Sequence, residues 1–227
     1  MKHLLLLHGA IGSGEQLKPL EEKLRVFYTV HVLTFPGHGG TAMPDAFSIP
    51  LFAEFVKTYC ENNQLDKVFI FGYSMGGYIA LYLAKHQPSF IEKIVTLATK
   101  FEWNEKIAEQ EIKKLQPETI ERKVPQFAAI LNQRHRPNDW KIVLNKTAGL
   151  LKSLGDKNCL QAADYTAITT PCLLLVGDRD PMVSFDETLA VYKSLPMAEL
   201  CVLPGTDHPI EKADILLLQF ITRKFLG

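Results

Sequence analysis

The sequence predicts an α/β protein: a mostly parallel sheet of about six strands flanked by helices, with one helical insertion. Three observations carry this. Short, continuous apolar runs recur along the chain, and such runs suit strands buried on both faces of a sheet better than alternating patterns do. Longer segments with helical patterning separate them, as parallel strands joined by crossover helices require. One interval, residues 101–167, breaks the alternation and carries helical patterns without a convincing strand.

In chain order, strands are expected at 3–7, 29–34, 67–72, 92–98, 171–177 and 198–203. Helical patterns fall near 15–25, 50–62, 76–86, 185–194 and 210–224. Inside 101–167 the patterns are broken by Pro117, Pro125, Pro137 and Gly155. Pro137-Asn138-Asp139 ahead of Trp140 reads as a helix start, and Gly155 after Lys152-Ser153-Leu154 as a helix stop. A structureless loop of that length would be exceptional in a compact domain. The expected division is therefore a core of 1–100 and 168–227 with a helical cap at 101–167.

Length and composition exclude several function classes. At 227 residues the chain fits one domain with a small insertion. Its 25 basic and 25 acidic residues cancel, and no block of like charge supplies the basic face a nucleic-acid partner needs. Cys60, Cys159, Cys172 and Cys201 form no C-x-x-C pair and no cluster with histidine, which argues against a disulfide framework or a zinc site and for buried thiols in a reducing compartment. The opening apolar run, Leu4 to Leu7, falls short of the roughly 7 to 15 residues of a signal-peptide core. No stretch approaches the roughly 20 residues of a membrane span. A cytoplasmic protein without a membrane partner is the expectation.

Gly72-Tyr73-Ser74-Met75-Gly76-Gly77 carries the chemistry. It is a G-x-S-x-G pattern after the apolar run Lys67–Phe71 and before a helix-forming stretch, the setting in which a tight strand-to-helix turn pushes a serine hydroxyl out of the sheet. Glycines at 72 and 76 leave room where a Cβ would clash, and the following helix points its N-terminus at Ser74. A serine hydroxyl still needs a base, usually histidine oriented by a carboxylate. In a parallel sheet such groups gather past the C-terminal ends of strands. Leu173–Val176 runs into Gly177-Asp178-Arg179-Asp180, and Leu200–Leu203 runs into Pro204-Gly205-Thr206-Asp207-His208. The candidate triad is Ser74, Asp180 and His208, with Asp178 competing for the acid role as a residue that also suits a turn.

With these pieces in the order Ser, Asp, His, the chain resembles the α/β-hydrolase superfamily over nearly its whole length apart from the insertion. The closest likeness is to the esterase and lipase-like branch with a helical cap. Leu7-His8-Gly9-Ala10 matches the family's H-G-x turn. The resemblance implies an oxyanion hole built from the backbone N–H groups of Ala10 and Met75. Phe35-Pro36-Gly37-His38-Gly39-Gly40-Thr41 resembles the family's P-G-x-G-x-S/T loop, and Gly177-x-x-Asp180 and the His208 loop carry over its acid and base. The chain departs from the pattern in beginning at the family's third strand, without two leading strands, in Thr34 where many relatives have Asp, and in lacking H-G-G-G.

The implied function is a serine hydrolase acting on a small, fairly apolar carboxylic ester or thioester, needing no cofactor or metal. Two other readings remain open. One is a lyase or C–C bond hydrolase using the same triad on a carbon acid, since menaquinone-pathway elimination enzymes also carry G-Y-S-M-G-G and a P-G-H-G loop. The other is a non-catalytic small-ligand receptor on the same fold. Ile11, Trp103, Phe127 and Trp140 are candidates for the pocket wall, although most apolar residues of the insertion must form its own core. His8 and His38 read as loop anchors, and His86 and His135 as surface residues. Gly9–Gly14 lacks the G-K-[ST] ending of a phosphate loop.

Overall fold

The computed structural model describes residues 1–227. Six strands, β1 (His3–Leu7), β2 (Thr29–Leu33), β3 (Val68–Tyr73), β4 (Ile91–Leu97), β5 (Cys172–Gly177) and β6 (Ala198–Leu203), form one sheet in the order β2-β1-β3-β4-β5-β6. Every pairing is parallel. The chain runs outward from β1 to β2, then returns to the other side of β1 for β3. That reversal opens a crevice beyond the C-terminal ends of β1 and β3, where ligands bind in sheets of this kind.

The continuous apolar strands divide by parity between two faces. Leu5, Leu7, Ile70, Ile94 and Leu174 face α2 (Ile49–Asn62), α3 (Met75–His86) and α9 (Phe185–Ser194), together with part of the insertion. Leu4, Leu6, Phe69, Phe71, Val95 and Leu173 face α1 (Lys18–Leu24) and α10 (Ile215–Leu226). Burying a leucine or phenylalanine side chain contributes about 2 kcal/mol, and both faces of β3 do this throughout. Edge strands β2 and β6 are half-buried, as strands covered on fewer sides must be.

Two expected helices divide. Residues 14–24 form a short 3-10 turn and then α1, with Pro19 near its start. The C-terminal segment is a 3-10 turn at Ile210–Lys212 followed by α10, whose first turn is capped by the Asp214 carboxylate.

Between β4 and β5 lie five helices and no strand: α4 (Glu105–Lys114), α5 (Pro117–Lys123), α6 (Pro125–His135), α7 (Trp140–Asp156) and α8 (Ala162–Thr166). The Asp139 side chain accepts from Lys141 N at 2.9 Å and starts α7. Gly155 does not stop that helix, which runs on through Asp156. Its missing Cβ instead lets α4 pack close, because a side chain there would meet Ala108 and the Asn104 carbonyl. Trp140 is buried with Ile120, Leu131 and Leu144 in a satellite core of the insertion. No helix is long and apolar enough to cross a membrane.

Candidate active site

Ser74 is the single residue between β3 and α3, and its backbone is forced to φ 52° and ψ −115°. A left-handed non-glycine residue costs on the order of 1–2 kcal/mol. The turn is fastened on both sides: Ser74 N donates to Leu97 O at 2.8 Å, and Thr99 Oγ1 donates to Ser74 O at 3.1 Å. The first turn of α3 passes so near the end of β1 that a Cβ on Gly76 would strike the Leu7 carbonyl. Glycine is required there by contact and not by conformational freedom.

Three loops bring the predicted residues together. Ser74 Oγ lies 3.3 Å from His208 Nε2, and His208 Nδ1 lies 2.8 Å from Asp180 Oδ2. A carboxylate only accepts, so Nδ1 carries the proton and Nε2 presents a lone pair to the serine. The Asp180 side chain is fully buried, and its other oxygen accepts from Met182 N at 2.8 Å and Val183 N at 2.9 Å. Burial alone would raise its pKa. The hydrogen bond and charge of His208, with the two amides, outweigh that and hold it below its ordinary value. Asp178 does not compete for His208: its carboxylate accepts from Thr206 N at 3.2 Å and ties the two loops together. Asp207 points away into an ion pair with Lys212 at 2.7 Å. Tyr73 OH steadies the base loop by donating to His208 O at 3.1 Å.

Opposite the serine, the turn Gly9–Gly12 closes with Gly12 N on Gly9 O at 3.2 Å. Phe35 N donates to His8 Nε2 at 3.0 Å, so His8 carries its proton on Nδ1 and donates to Gly9 O at 2.7 Å. With the Gly9 carbonyl held twice, the N–H of the same peptide, that of Ala10, points the other way and donates to no group of the protein. Met75, as the first residue of α3, has an amide with no partner inside its own helix.

A cavity of about 310 Å³ opens above Ser74 and is lined by Ala10, Met75 and His208. Ile11, Trp103 and Phe127 also line it, and Trp140 does not, being turned into the satellite core. A row on α7, Leu150, Leu151 and Leu154, supplies further apolar wall, and its i, i+1, i+4 spacing on a helix of the insertion is the sequence signal that finds it. Lys100, Arg134 and Glu211 bring charge to the rim. Lys100 is itself neutralised by buried Glu187 at 3.4 Å.

The expectation for His135 is overturned. It is fully buried, bonded through both ring nitrogens, and part of a row of rings with His38 (5.9 Å between centroids) and, beyond it, His8 (5.1 Å). No group of three His, Cys, Asp or Glu is arranged to hold a metal ion.

Comparison with known proteins agrees with the fold. Residues 2–129 match the family described as alpha/beta hydrolase fold. A pimeloyl-[acyl-carrier protein] methyl ester esterase of Vibrio campbellii is 24% identical over 90% of this chain and 87% of its own length. The protein of that name from Vibrio vulnificus strain YJ016 is 27% identical over 90% and 86%. Among solved structures, a hydrolase from Pseudomonas aeruginosa superposes with a TM-score of 0.81 at 19% identity, covering 100% of this chain and 90% of that one.

Proposed function

The chain belongs to the alpha/beta hydrolase family, and from that premise we propose that it cleaves a small, fairly apolar carboxylic ester or thioester through an acyl-enzyme on Ser74. It is a hydrolase. The observation that carries the finer reading is the line from Ser74 Oγ through His208 to the buried Asp180 carboxylate, set at the floor of a mainly apolar cavity. The esterase activity named for the two Vibrio relatives favours an ester over a carbon acid.

In this reading His208 Nε2 takes the hydroxyl proton as Oγ attacks the carbonyl carbon. Asp180 stabilises the imidazolium that results, and its held-down pKa keeps it ionised for that task. The carbonyl oxygen, now negative, is received by the N–H groups of Ala10 and Met75. His208 returns the proton to the departing alcohol or thiol. Water, deprotonated by the same nitrogen, then releases the acid and restores Ser74. Residues 101–167 act as a cap over the core of 1–100 and 168–227, and Ile11, Trp103, Phe127 and the α7 leucines give the acyl or alkyl chain an apolar wall.

Turnover of a short-chain chromogenic ester tests this. Ser74→Ala is expected to lower kcat by about 10⁴-fold or more with the fold intact. Near-normal turnover in that variant would remove the acyl-enzyme. Labelling of Ser74 by a fluorophosphonate without turnover of any ester would instead favour the carbon-acid lyase, and a folded protein that does not label would favour the receptor.

A further inference from the structure

We propose that His135, at the C-terminal end of α6, is a positioning residue for the oxyanion side of the site: it holds the Ile11 carbonyl and so fixes where the Ala10 N–H points. The proposal rests on the hydrolase reading above, in which that N–H receives the developing negative charge.

The bonds around the ring leave one assignment. Gly39 N donates to His135 Nδ1 at 3.1 Å, so Nδ1 is an acceptor and the proton sits on Nε2. Nε2 then donates to Ile11 O at 3.0 Å. Arg134 Nη1 donates to the same oxygen at 3.1 Å. Two donors from consecutive residues of the insertion thus meet on one carbonyl of the core, in a side chain pair of which His135 is fully buried.

That carbonyl belongs to a strained residue. Ile11 has φ 52°, a left-handed conformation that a β-branched side chain resists. Left alone, the residue would relax toward negative φ, and the turn Gly9–Gly12 would rotate with it. On the sheet side the turn is already held by His8 at the Gly9 carbonyl. The Ala10 N–H lies between the two held carbonyls, so its direction depends on both. His8 secures it from the core and His135 from the insertion. Hydrogen bonds lose strength steeply as they bend, and a misaimed donor to a developing oxyanion costs catalysis more than binding, because the charge exists only in the transition state.

Two substitutions separate the two halves of the ring. His135→Gln keeps a donor at the reach of Nε2, toward Ile11. His135→Asn keeps a polar group only at the reach of Nδ1, toward Gly39. In His135→Asn kcat for a short-chain ester is expected to fall about 10- to 100-fold with KM within about twofold, whereas His135→Gln restores most of kcat. Equal losses in both variants, a change confined to KM, or an unchanged kcat in His135→Asn would each overturn the proposal. Circular dichroism on both proteins keeps a folding defect from passing as a catalytic one, and a defect shared by both counts as an equal loss. Wild-type ester turnover and its loss in Ser74→Ala test the underlying hydrolase reading separately, since the ratio between the two His135 variants is measured within a working enzyme.

Discussion

The substitution His38→Phe should reverse its effect on stability as the pH is lowered. His38 is fully buried, stacked on Phe47 at 4.8 Å with Phe52 at its edge. Its Nδ1–H donates to Pro36 O at 3.1 Å, while Nε2 has no partner. Burial, helped by the nearby His135, lowers its pKa from 6.5 to about 4. Between those values the unfolded chain binds the proton and the folded chain does not. The neutral ring's contribution is therefore complete above about pH 6.5 and is lost progressively down to about pH 4. At about pH 5 the loss is about 1.5 pH units, or about 2 kcal/mol.

Phenylalanine fills the same aromatic slot and does not titrate, but it gives up the bond to Pro36 O, at a cost of about 1 kcal/mol. The variant should be about 1 kcal/mol less stable than wild type near pH 7.5 and about 1 kcal/mol more stable near pH 5, with the curves crossing near about pH 6. His8 and His135 titrate in both proteins and largely cancel in the difference. Urea unfolding followed by far-ultraviolet circular dichroism across this range measures the gap. A gap that stays constant or widens toward acid would refute the buried neutral histidine.

Other substitutions probe the elbow and the insertion. Gly76→Ala drives a Cβ into the Leu7 carbonyl and should cost several kcal/mol, on the order of 3, or prevent folding; a melting temperature like that of wild type would show that the elbow has more room than the structure gives it. Trp140→Ala empties the satellite core around Leu131 and Leu144 and should cost about 3–5 kcal/mol of stability. Below its lowered melting point the variant should keep the wild-type preference across a panel of ester chain lengths, and a shifted preference would mean that Trp140 reaches the cavity after all.

The sheet was legible because its central strands are buried on both faces, which writes them into the sequence as apolar runs. The ends of those runs then located Ser74, Asp180 and His208, since each needs only to follow its own strand. Parity along a run such as Leu4–Leu7 even separates the two faces, although the sequence does not say which helices cover which face. Gly155 illustrates what a local reading misses. A glycine near a helix end is usually a stop, and here it is a contact, a distinction that only the approach of α4 creates.

His135 was misplaced for a related reason. Side-chain patterns record how a helix meets apolar surface, and α6 has a mixed surface, so its last turn reads as exposed. The groups that bury His135 are a carbonyl and an amide, Ile11 O and Gly39 N, lying 124 and 96 residues away in the sequence. Backbone groups carry no residue identity, and every loop offers them. The one local sign was glycine: both loops are rich in it, and loops without side chains to pack against must be held by polar bonds to their backbone. A neutral histidine suits that work because it donates at one nitrogen and accepts at the other, and can therefore join two loops at once. His8 does this between Gly9 and Phe35, and His135 between Ile11 and Gly39. The same property makes both joints sensitive to acid, since a second proton turns each accepting nitrogen into a donor facing an amide N–H. Burial lowers the pKa of both rings, His135 to about 4, which keeps the joints intact at neutral pH.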